Sequence, residues 1–193
     1  PGNTELWATV PNAGTAVHQT DDGYDDEFFL ANGREGLGGV ALSEDESTLY
    51  VVNLNDRLLY SYNTADAAPA SPVSSVPITD PGCVGGDWRP FSVTVRDGEV
   101  YVGGVCDASS SLLRSDLAAH VVQLDGGTFT SIYSKTLDFP RGGEGHPDPD
   151  PNPVGEDVST HWNPWRETWD ADLADYFADG PLYPTPMLTS VVF

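Results

Sequence analysis

The chain has 193 residues, 39% of them hydrophobic, and carries 30 acidic against 8 basic side chains for a net charge of −22. Such a surface repels phosphate backbones and anionic lipid, which excludes nucleic acid as a partner. No apolar run reaches the roughly 18 residues of a membrane-spanning helix, so no membrane insertion is expected, and 20 glycines with 16 prolines announce many turns around a folded core.

In chain order, residues 4–10 (TELWATV) form a short extended run that could be the outer strand of a preceding blade, and 18–36 read as an acidic, glycine-bearing loop. Short β-rich runs then follow at 37–42 (LGGVAL), 48–53 (TLYVVN) and 55–63 (NDRLLYSYN), separated by a turn from Ser43 to Ser47 and another at Asn55-Asp56. Leu58, Tyr60 and Tyr62 alternate with Leu59 and Ser61, the period-2 pattern of a half-buried strand. A Pro/Ser/Ala-rich return over 64–82 holds the outer strand VSSVPI.

A second set begins with RPFSVTV at 89–95 and EVYVGGV at 99–105, joined by Asp97-Gly98, two residues that tolerate the positive φ of a tight hairpin turn. AAHVVQL (118–124) and TFTSIYS (128–134) complete it, after a loop over 107–117 with a helical turn near Arg114–Leu117. Segment 138–185 breaks the rhythm with eight of the prolines and three of the five tryptophans, and its best helix candidate is 167–178. A third set begins at PMLTSVVF, 186–193. The expected fold is all-β and β-propeller-like: about two complete four-stranded blades, partial flanking blades and a long irregular Trp/Pro-rich insertion at 138–185. Because propellers typically need about 4–8 blades, residues 1–193 are expected to be one incomplete domain.

Cys83 lies just before the 90–105 hairpin and Cys106 ends it, so the two sulfurs are expected to meet in a disulfide, or else to remain as two buried thiols. A disulfide fits an oxidising, extracellular compartment.

Asp148, Asp150 and Asn152 place oxygens at positions 1, 3 and 5 of a loop that continues to Glu156 and Asp157, resembling the opening of a Ca²⁺ site. Three interleaved prolines and a serine at position 12 depart from that pattern and leave a solvated acidic loop as the other reading. The cluster Asp21, Asp22, Asp25, Asp26 and Glu27 has the same two readings. Trp162, Trp165, Arg166 and Trp169 could stack on and hydrogen-bond a glycan, or pin the insertion to a sheet by buried area. Four scattered histidines and the absence of nucleophile-elbow, Walker, dinucleotide or zinc-helix motifs give no catalytic residue, so no enzyme is expected.

GLGGVALSEDESTLYVVNLNDRLLYSYN (36–63), CVGGDWRPFSVTVRDGEVYVGGVC (83–106), Asn163-Pro164-Trp165 and Pro186-Met187-Leu188 resemble, in order, the propeller-type region of large bacterial multidomain surface proteins that also carry B-type or immunoglobulin-like repeats. The resemblance implies secretion, a cell-surface location and a role in adhesion or assembly. The expected function is a non-catalytic surface, adhesion or assembly module, a segment of a larger protein. Its partners would be other domains of the same polypeptide, further copies of itself, or glycans. A calcium-dependent propeller hydrolase and a carbohydrate-binding module are the alternatives.

Overall fold

The computed structural model describes residues 5–17, 26–140, 161–168 and 183–193. Among the described residues, eight strands make two four-stranded antiparallel sheets, each in simple chain order. Sheet one is β1 (Leu37–Leu42), β2 (Thr48–Asn53), β3 (Leu58–Asn63) and β4 (Ser74–Pro77). Sheet two is β5 (Trp88–Arg96), β6 (Glu99–Cys106), β7 (Ala118–Asp125) and β8 (Thr128–Thr136).

Turn chemistry explains the meander. Asp97 and Gly98 adopt φ of 53° and 79°, the two positive values of a primed hairpin turn, and set the register Arg96↔Glu99. In the longer β1–β2 turn, one Asp45 oxygen accepts from the Ser43 and Ser47 hydroxyls at 2.7 and 2.8 Å and from the Ser47 amide at 3.1 Å. Those hydroxyls, ahead of the backbone contact, hold the Asp45 carboxyl down at about 2.

The sheets stack with first strand against first strand: β1 lies along β5, and β4 approaches β8. Glycine makes this possible, because a Cβ on Gly38 would stand 2.5 Å from the Phe91 carbonyl oxygen and one on Gly39 2.6 Å from the Val93 nitrogen. Between the sheets, Val52, Leu54, Leu59 and Ile78 meet Trp88, Val93, Val102 and Phe129. Val52 and Val102 are fully inaccessible, and each such side chain stabilises the fold by roughly 1.5–3 kcal/mol.

Each outer face is covered as well. Val51, Tyr60 and Tyr62 pack under Trp7 and Ala70 on sheet one, while Val105, Leu117 and Leu137 pack under Trp165 on sheet two. β3 is therefore buried on both faces rather than half-buried, Leu59 facing the inter-sheet core and Tyr60 and Tyr62 the other side.

Several expectations change. Within the acidic loop 18–36 the chain forms a short helix, α1 (Asp26–Ala31). The N-terminal run is no blade strand: its described residues make one parallel bridge, Ala8↔Ala70, rather than a ladder, and lie on the outer face of sheet one. Residues 186–193 contain no strand, and the turn near Arg114–Leu117 is a 3₁₀ helix over Arg114–Asp116. Nearly all of the 167–178 helix candidate lies outside the described residues.

Candidate functional site

β1 and β5 start, and β2 and β6 finish, at the same end of the stack. Equivalent backbone bonds close both sheets there: Leu54 donates to the Gly36 carbonyl at 3.1 Å and Asp107 to the Asp87 carbonyl at 3.0 Å. Five of the seven arginines (34, 57, 89, 114 and 166) also gather at this end, in a chain with a net charge of −22.

Asp107 organises the cluster. Its side chain is fully buried; one oxygen accepts from the Asp87 and Ser109 amides at 2.7 and 3.0 Å, and the other from Arg89 Nε at 2.7 Å. Burial opposes the charge, yet the Ser109 amide, the Arg89 hydrogen bond and the Asp87 amide outweigh it and hold the Asp107 pKa below its ordinary value. Arg89, itself 9% exposed, reaches Asp87 at 3.1 Å, and Asp87 receives Arg57 at 2.6 Å. Beyond them Arg34 pairs with the half-exposed Glu167 at 3.1 Å.

Trp165 sits at the centre. Its amide donates to the Asp107 carbonyl at 2.9 Å, its indole N–H donates to the Pro186 carbonyl at 3.1 Å, and only 4% of it is exposed. The guanidiniums of Arg34 and Arg89 lie over its ring at 5.4 and 5.8 Å, cation–π range. Buried Asn163 donates to the carbonyls of His161 and Pro184 at 3.2 and 3.3 Å and accepts from Arg114 at 3.0 Å. The Trp165 amide thus fastens the described part of the insertion to the residue that follows β6, and its indole ties it to Pro186. Trp165 packs with Val105, Leu117 and Leu137. Trp162 joins the same cluster, and Arg166 stands over the Tyr183 ring at 5.8 Å.

Asp148, Asp150, Asn152, Glu156, Asp157 and Trp169 lie outside the described residues, as do Asp21, Asp22 and Asp25. Among the described residues, no group of three or more His, Cys, Asp or Glu side chains is placed to hold a metal ion. Cys83 and Cys106 form a disulfide with Cα atoms 5.3 Å apart. No described helix is long and apolar enough to cross a membrane.

Sequence reasoning missed the Arg89–Asp107 pair. The signal was the flanks of the hairpin, Asp87-Trp88-Arg89 and Cys106-Asp107, which the strand register brings together with Trp88 opposite Cys106.

No protein-family model matches the chain. Colossin-C of Dictyostelium discoideum is 30% identical over 120 residues, which is 61% of this chain and 11% of that protein. Colossin-D of the same organism is 32% identical over 56 residues, 29% of this chain and 6% of that protein. The chain therefore spans a small fraction of the length of the curated relatives it matches.

Proposed function

We propose that this chain is a non-catalytic extracellular module for surface adhesion or assembly, a run of propeller-type blades within a larger surface protein of the repeat-containing kind. The observation that carries this reading is the lie of residues 187–193. Leu188 and Val191 approach Gly103 on the outer face of sheet two, and the Phe193 ring stands 4.7 Å from that of Tyr101. This is an apolar segment laid across β6 on the outer face of sheet two, where a further blade would pack.

None of its backbone groups hydrogen-bonds a described residue, and Val192 and Phe193 are 88% and 56% exposed. An apolar segment with open backbone groups is a template for a further strand. Neighbouring domains of the same polypeptide, or another copy, would provide it. On the far side, Leu37, Val40 and Leu42 of β1 are all about half exposed, a second open flank. The disulfide favours an oxidising compartment, and partial matches within much longer proteins favour a module over a free-standing unit.

Intact cells of the source organism, treated with a membrane-impermeant biotin reagent and then lysed, test the location. Peptides of this chain are expected in the labelled fraction, with Cys83 and Cys106 unreactive to thiol reagents until reduced. Recovery solely in the unlabelled fraction, with both thiols reactive, would overturn the proposal.

A further inference from the structure

We propose that Asn32-Gly33 is a modification site, where the Asn32 carboxamide hydrolyses without an enzyme to aspartate and isoaspartate while the protein is folded. The chain has no other asparagine followed by glycine. The pair lies just past the C-terminal end of α1, and the local structure there favours the reaction.

The first feature is a gap in the hydrogen-bond ladder. The Asn32 amide continues the helix by donating to the Phe28 carbonyl at 2.9 Å, and the Arg34 and Glu35 amides both return to the Ala31 carbonyl, at 2.8 and 3.0 Å. Between them the Gly33 amide donates to no described residue. That nitrogen is the nucleophile of the reaction, and no hydrogen bond to a described residue must break to release it. The second feature is the carboxamide. Asn32 is exposed, and its side chain hydrogen-bonds no described residue, so it can rotate toward the next nitrogen in the chain. The third is the glycine, which has a φ of 74° and carries no Cβ to crowd the approach.

The chemistry balances with water alone. The Gly33 nitrogen bonds to Asn32 Cγ, its proton passes to the carboxamide nitrogen, and the bond from Cγ to that nitrogen breaks as ammonia leaves. The five-membered ring so formed holds Gly33 N with the Cα, Cβ, Cγ and carbonyl carbon of Asn32, so covalent connection alone keeps the reacting atoms close. Water then opens the ring. Cleavage at Cγ gives aspartate, and cleavage at the main-chain carbonyl gives isoaspartate, with a main chain longer by one methylene.

The position makes the change consequential. Gly33 is buried, and a Cβ on it would collide with the Trp165 ring, so the main chain has little room to shift there. Isoaspartate would press Gly33 against Trp165 and loosen α1 from the joint that Trp165 makes with Asp107 and Pro186.

The test incubates the folded chain and the same chain unfolded in guanidinium chloride side by side in mildly alkaline buffer, following the peptide that spans Asn32 by mass spectrometry. Amide is expected to convert to acid at a native rate within about tenfold of the unfolded rate, because the end of a six-residue helix opens at little cost. Asn32→Gln should stop the conversion, since glutamine must close a larger ring. The converted protein, separated by charge, should melt about 2–4 °C below the fresh protein. A native rate slower than that limit, or conversion of this peptide undiminished in Asn32→Gln, would overturn the proposal. Converted protein that melts with the fresh would overturn its effect on the Trp165 joint.

Discussion

Sheet one and sheet two solve the same problem with different chemistry. At the end of its second strand or on the residue just after it, each places a fully buried polar side chain that gathers the loops at one end of the stack. In sheet one this is Asn53, whose amide donates to the Pro11 carbonyl at 2.7 Å and whose oxygen accepts the Asn55 amide at 2.9 Å. In sheet two it is Asp107, which can only accept and so draws Arg89 into the interior to balance its charge. Each outer face is closed by a tryptophan whose indole N–H finds a carbonyl, Trp7 to Asp66 at 3.0 Å and Trp165 to Pro186 at 3.1 Å. A neutral amide is self-sufficient, whereas a buried carboxylate commits its neighbours, which makes sheet two the more interdependent half.

The largest effect should come from removing that commitment. Asp107→Ala strips Arg89 of its fully buried partner, leaving it only the half-exposed Asp87, and leaves two amides without their acceptor; it is expected to destabilise the protein by about 3–5 kcal/mol in urea unfolding. A loss under about 1 kcal/mol would break the comparison. Replacing Cys83 and Cys106 with alanine opens a loop spanning 23 positions and should cost about 3 kcal/mol, again in sheet two. Asn53→Ala, the counterpart of Asp107→Ala, should cost less, about 1–3 kcal/mol, because no charge is stranded. If it proves the costlier of the pair, the distinction between a neutral and a charged closure is mistaken.

The smallest effect is in pH. His120 on β7 lies edge-on to Trp88, ring centroids 6.0 Å apart, and burial lowers its pKa from 6.5 against the pull of Asp80. A folded pKa below the unfolded one means the unfolded chain takes up the proton first as pH falls. Stability from neutral His120 is therefore present above pH 6.5 and lost below it, and that from Asp107 is lost as pH falls below 3.8 through its lower folded value. Hydrogen exchange between pH 7 and 5 should show β7 and its neighbours losing protection before β2 and β3. His120→Phe should remove the difference.

The strands were legible because period-2 alternation and two-residue turns are local signals, and Asp97-Gly98 alone fixed a hairpin accurate enough to bring Cys83 and Cys106 together. The ion pair was not legible for a specific reason. From Arg96↔Glu99 a regular ladder runs to Ser92↔Gly103, but a bulge between Pro90 and Ser92 shifts the remainder by one residue and sets Trp88 against Cys106. Pro90 and the facing Gly103-Gly104 are residue types found at bulges, but they do not fix which residue is left unpaired. The helix Asp26–Ala31 was hidden by its length, six residues in an acidic run read as loop. Trp165 was visible as an aromatic but not as a keystone, since its partners Asp107 and Pro186 are set by contacts far apart in sequence.

The central claim is that these two stacked sheets are part of a larger surface polypeptide, and the intact mass of the native protein that contains them tests it most directly. The account predicts a mass far above 20.6 kDa, with Cys83 and Cys106 still bridged. A native species of 20.6 kDa that remains a compact, monodisperse monomer would contradict it.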